Sequence, residues 1–191
     1  MPAPEEPIIE LPDQQAWSDW LEGHGGNASG VWLKIAKKGA PRATISHAQA
    51  LEIAICHGWI DARRNRLDGD FFLQRFTPRS PRSKWSQVNR DKAEQLIAEG
   101  RMRPAGLRAV QAAQADGRWD DAYPAQSQAP VPEDLQEALD AHPEARAFFD
   151  TLTGSRRYAF LYRLHHVKQA ERRQQRIAHY IELLSVRQTL N

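Results

Sequence analysis

The dipeptide Asp68-Gly69 does more than any other feature to restrict what this chain can fold into. A two-residue type I′ hairpin turn needs φ > 0 at both central positions, and Asp-Gly is among the pairs that tolerate this best. The flanking runs are rich in Trp, Ile, Phe and Leu, so the sequence predicts paired strands over 59–67 and 70–77. If that turn sets the register, Trp59, Asp61, Arg63 and Asn65 share a face with Phe72, Gln74 and Phe76. Ile60, Ala62, Arg64 and Arg66 then share the other face with Phe71, Leu73 and Arg75. Neither face is purely apolar.

Local signals around the hairpin supply the remaining elements. Residues 1–12 carry four prolines and read as an extended lead-in. Asp13 is placed to cap a helix that buries Ala16, Trp17, Trp20 and Leu21 and ends at Gly23, Gly25 and Gly26. Val31 to Ala36 alternates as a strand. Ser46 and Gln49 form a capping-box pattern ahead of an apolar stripe of Ala48, Leu51, Ala54 and Ile55 that stops at Gly58. Two prolines in Thr77–Ser86 convert the strand exit into a loop, after which Ser86 or Asn89 starts a helix with Ala93, Leu96 and Ile97 inward and Gly100 at its end. Pro104 suits the first turn of the next helix, and Trp119 anchors its exit.

Residues 120–132, rich in Pro, Ala, Gln and Ser, read as a linker. Beyond them, 133–152 and 155–187 have helical periodicity, with breaks at His142-Pro143, at Thr153-Gly154-Ser155 and near Lys168-Gln169. The expected fold is α+β: a small, mostly antiparallel sheet with covering helices over 13–119, then the linker and a helical C-terminal unit over 133–187.

At 191 residues with 41% hydrophobic content, the chain has enough apolar material for a packed core. Its net charge of +2 conceals segregation: 61–90 carries eight Lys or Arg against three Asp, and 155–191 eight against two acidic residues. The single cysteine, Cys56, excludes an internal disulfide and suits a reducing compartment. With an acidic N-terminus lacking a basic and an apolar region, and no run of the ~18 apolar residues that a span needs, the expectation is a soluble, cytoplasmic protein that does not cross a membrane.

Function is expected to reside in 59–90. Arg63, Arg75, Arg79, Arg82 and Lys84 can form charge-assisted bonds to an anionic ligand or an acidic protein face. Trp59, Phe76 and Trp85 can supply flat apolar contact, and Asp61 can orient an arginine. The competing reading pairs Asp61 with Arg75 or Arg63 in an ion pair that only supports the fold. Nucleic acid is the alternative partner, because basic loops interleaved with aromatics neutralise phosphates and stack bases.

No motif assigns a catalytic residue, and the reading leans away from an enzyme; the third alternative is an enzyme of unknown reaction with Asp61 as general base or Cys56 as nucleophile. Cys56 and His57 are helix neighbours about 100° apart, unable to act as nucleophile and base. Cys56 reads as a small hydrophobe and His57 as a cation at a helix C-terminus. The seven histidines form no metal-ligand pattern, and no cofactor motif is present.

Several motifs also carry a family resemblance. Gly58-Trp59-Ile60-Asp61, Gln74-Arg75-Phe76-Thr77-Pro78-Arg79, Ser83-Lys84-Trp85-Ser86 and Gly100-Arg101-Met102-Arg103-Pro104-Ala105-Gly106 resemble the bacteriocin-protection, YdeI/OmpD-associated family. The helical tail with Arg157-Tyr158, Lys168, Arg173 and Ile177 is similar to that family's C-terminal domain. Two residues depart from its pattern: Ala62, where Gly is usual, and Arg172, where a small hydroxyl residue is usual. The resemblance implies a role in tolerance of envelope stress and antimicrobial peptides, with an envelope or porin association. It implies no catalytic residue, cofactor or substrate.

Overall fold

The computed structural model describes residues 6–190, which divide between Ala122 and Tyr123 into two compact units. In the first, β1 (Ile8–Ile9), α1 (Gln14–His24), β2 (Val31–Ala36), α2 (His47–Cys56), β3 (Trp59–Arg66), β4 (Phe71–Pro78), α3 (Gln87–Ala98) and α4 (Pro104–Ala115) follow in order. The four-stranded sheet has the order β1-β2-β4-β3, with only the short β1–β2 pairing parallel. The α+β expectation therefore holds, although β1 adds a strand inside the expected lead-in; residues 1–5 of that lead-in lie outside the described residues.

The caps act as their side-chain chemistry predicts. Asp13 Oδ1 accepts from the amide of Ala16 at 2.9 Å, and Ser46 and Gln49 complete a reciprocal capping box on α2. Ser86, not Asn89, caps α3, and Pro104 opens α4. The inward faces differ in detail: Ala48 and Ile97 face solvent, while Ala50 and Cys56 are buried. α2 is apolar nearly throughout because it is covered on two sides. Ala50 and Ala54 join Trp17, Leu33 and Phe76 in the sheet-side core, whereas Ile55 and Cys56 pack with Trp85, Leu96 and Val110 from α3, α4 and the loop before them.

The hairpin departs from its expected turn. β3 and β4 are joined by the four residues 67–70, and Gly69 is not among the positive-φ glycines. Asp68 Oδ1 instead accepts the amides of Asp70 at 2.8 Å and Phe71 at 2.7 Å, so the side chain closes the turn in place of a left-handed backbone. A bulge between Asp61 and Arg64 then corrects the expected faces. Asp61 lies opposite Phe76 as anticipated, but Arg64 pairs with Gln74 and Arg66 with Phe72. Arg64 and Arg66 therefore share the Phe72–Phe76 face, and Asn65 lies opposite Leu73 on the other. Gln74, buried in that face, holds the bulge: its amide nitrogen donates to the Arg63 carbonyl at 3.3 Å and its oxygen accepts from Arg64 Nε at 3.1 Å.

The second unit contains α5 (Glu133–Asp140), α6 (Pro143–Thr151), α7 (Gly154–His165) and α8 (Ala170–Ser185). The breaks before α6 and α7 fall at Pro143 and Gly154 as predicted, and the one before α8 falls at residues 166–169, which hold neither proline nor glycine. Leu135, Leu139, Phe149, Phe160, Tyr180 and Leu184 anchor one continuous core. Arg173 ties α8 to α5 through Asp134, at 2.5 Å from Nε and 3.0 Å from Nη2, and its Nη1 donates to the Leu164 carbonyl at the end of α7. That cation satisfies a helix C-terminus and a carboxylate together. Among the described residues, no helix is long and apolar enough to cross a membrane.

Candidate functional site

The first unit contains a cleft of about 420 Å³. One wall is α4, whose Ala105, Arg108, Ala109 and Ala112 recur at helical spacing and so share a face. The other is built from the start of β3 and the exit of β4, where His57, Trp59 and Arg79 sit. Gly25 and Gly26, past the end of α1, and Arg118 complete it. The width is set by main chain. Gly58 has φ +75, and a Cβ there would lie 2.8 Å from the Ala105 carbonyl oxygen; one on Gly106 would lie 2.2 Å from that of Cys56. Both positions require glycine for α4 to approach the end of α2.

Two aromatic or heteroaromatic side chains form the interior wall. Trp59, 3% exposed, stands edge-on to Trp17 and Trp20 at 6.3 and 6.0 Å between ring centroids. Its indole Nε1 donates to none of the described residues, and a Cβ on Gly25 would stand 3.4 Å from it. His57, 8% exposed, caps α2, and its Nε2 lies 3.0 Å from Ser18 Oγ. Burial holds the imidazole below its ordinary pKa, with only a smaller opposing pull from Glu22, so the ring is neutral near pH 7. This corrects the expectation that His57 acts as a cation on the helix dipole.

Arginines supply the rim. The Arg79 guanidinium lies 3.5 Å over the Trp85 ring, and its Nη1 donates to the Lys84 carbonyl at 3.2 Å. Arg118 Nε reaches both Asp116 oxygens at 2.8 Å while Nη1 donates to the Ser83 carbonyl, which pins the basic loop to the end of α4. Arg108 is exposed and makes no hydrogen bond or ion pair with any described residue.

The residues singled out from sequence are thus divided. Trp59 and Arg79 line the cleft, with Trp85 packed behind Arg79 at 1% exposure. Phe76 is fully buried, so neither Phe76 nor Trp85 offers a flat face to a partner. Asp61 orients no arginine; its Oδ2 lies 3.1 Å from His47 Nε2. Arg75 forms a two-pronged pair with Glu6 rather than Asp61, and it lowers the Glu6 carboxyl pKa. Arg63 is exposed at the bulge; Arg82 and Lys84 are exposed on the loop beside the cleft, where burial draws the Lys84 ammonium slightly down. Burial pushes the Cys56 thiol up, away from the reactive thiolate. Arg108, Arg118, Ser18 and Gly25 were not legible as one site, because only tertiary packing brings their segments together.

The second unit has its own groove of about 650 Å³ along α5 and α8. Its central charges, Asp134 and Arg173, satisfy one another, which leaves the first unit's cleft as the better-equipped site.

No curated protein and no solved structure matches the chain. Residues 128–186 match the family described as bacteriocin-protection, YdeI or OmpD-associated, which supports the resemblance for the C-terminal part alone. The 58–106 motifs that carried much of that resemblance fall instead in a segment matched by a different family, described as a domain of unknown function. That second match spans residues 9–109, just over half of the sequence, and on it the chain belongs to the DUF8412 family.

Proposed function

We propose that the protein is a binding module that holds a small anionic ligand in the α4 cleft, and that it acts in the bacteriocin tolerance named by the family its C-terminal part matches. Arg108 carries the reading. A guanidinium with five donors, none engaged by a described residue, borders a concave site that also contains Arg79 and Arg118. Asp116 offsets Arg118 only, so the cleft keeps a positive balance. The shape favours a small molecule over nucleic acid, for which phosphate tracking calls for a longer basic groove.

The test is calorimetric titration with inorganic phosphate and small carboxylates, comparing the parent protein with Arg108→Ala. A charge-assisted hydrogen bond contributes about 1.5–3 kcal/mol, so the variant should bind roughly tenfold to a hundredfold more weakly. Equal affinity in the two proteins would remove the site. Bacteriocin survival of cells carrying Arg108→Ala then tests the biological setting separately.

A further inference from the structure

The cleft is chemically two-sided. Arg108 gives it an accessible cation, whereas its inner wall offers hydrogen-bonding groups on side chains more than nine-tenths buried. Trp59 Nε1 is a donor with no partner among the described residues, adjacent to Gly25, which lines the same cleft. The companion group is His57, whose Nε2 is engaged by Ser18 and whose Nδ1 bonds to no described residue. The ring is buried, but Nε1 is not among the fully enclosed donors that lack a partner, so it is open to an acceptor that enters the cleft. Gly25 keeps the approach to it free of a side chain.

We propose that Trp59 Nε1 is a specificity-determining donor, and that the ligand is a hydroxy or oxo acid. Its ionised group rests on Arg108, and a hydroxyl or carbonyl oxygen accepts from the indole at the inner wall. This rests on the anion-binding reading above and names the ligand class for the same cleft. A bare carboxylic acid satisfies the rim but leaves the indole N–H unused.

The experiment compares propionate with 2-hydroxypropanoate, which differ by a single hydroxyl, on full-length protein by calorimetry and by nitrogen-15 NMR of the indole N–H groups. The hydroxy acid is expected to bind at least tenfold more tightly. It should also shift the Trp59 indole resonance, identified by its proximity to Gly25, where propionate does not. Trp59→Phe should abolish the difference in affinity between the two acids, while Arg108→Ala should weaken both. Equal affinity of the two acids for the parent protein, or an unmoved Trp59 resonance on saturation with the hydroxy acid, overturns the proposal while leaving the anion site standing. Failure of all these acids and of phosphate to bind, or indifference to Arg108→Ala, overturns both readings. If Trp59→Phe does not fold, the resonance in the parent protein decides.

Discussion

The two units solve the problem of burial differently. Among the described residues, the buried polar side chains Ser18, His57, Gln74 and Asn89 belong to the first unit, whereas the second unit's core is Leu, Ile, Ala, Phe and one Tyr, whose hydroxyl is the polar atom it encloses there. A buried polar group must be matched by a partner or it destabilises the fold. Gln74 meets that demand by holding a bulge, and His57 meets half of it through Ser18. The first unit therefore carries chemistry in its interior that packing alone does not require. The second is organised by apolar contact, with its main charge pair at the helix ends.

The sharpest way to break this contrast is Phe160→Ala. Phe160 is fully buried against Phe149 and Tyr180, so its loss should destabilise the second unit by about 3–5 kcal/mol. Hydrogen exchange should show the loss in α5–α8 and not in the sheet. Gly58→Ala should be the costliest small change in the first unit: the left-handed conformation alone costs an alanine about 1–2 kcal/mol, and contact with the Ala105 carbonyl adds to that. Denaturant titration measures the shift.

Ser18→Ala tests the polar interior directly. Leaving His57 Nε2 unpaired should cost about 1–3 kcal/mol, and Ser18→Thr should restore part of it. Acidification separates the units by a different route. The His57 pKa is depressed in the fold below its ordinary 6.5, so the unfolded chain binds the proton more readily. Its stabilising contribution is present above pH 6.5 and is lost as pH falls towards the folded value. Asp134, also depressed but from 3.8, contributes above that pH and loses its contribution only below it. Between pH 7 and about 5, exchange should therefore accelerate in the first unit before the second. The smallest expected effect is that of Arg108→Ala on stability, within about 0.5 kcal/mol, although the same change should abolish most anion binding.

What was legible from sequence was local. The capping box at Ser46, the Asp13 cap, the left-handed Gly100 and the Pro104 start each depend on residues within one turn of each other, and each formed as read. The hairpin was legible as a hairpin but not in its register, because Asp68 closed the loop with its carboxylate and Gln74 stabilised a bulge from the opposite strand. The basic loop was visible as charge. Its division into a cleft arginine stacked on Trp85 and exposed residues further on depended on where α4 came to rest. Arg108 looked like any solvent-facing helix residue; nothing in its neighbours announced that Trp59 would lie across a gap from it.

The backbone contacts at Gly58 and Gly106 have a consequence for how this site can change. Side chains do not hold the two walls apart, so they are free to be exchanged without moving them. Ala105, Ala109 and Ala112 present short side chains towards the space, and lengthening one of them would subtract volume at a known height along the cleft. Arg108, one turn from Ala105 and Ala112, could be replaced by a carboxylate to reverse the preferred ligand charge. The scaffold is in this sense a fixed-gap frame, in which ligand selectivity can drift by substitution while the fold stays as it is.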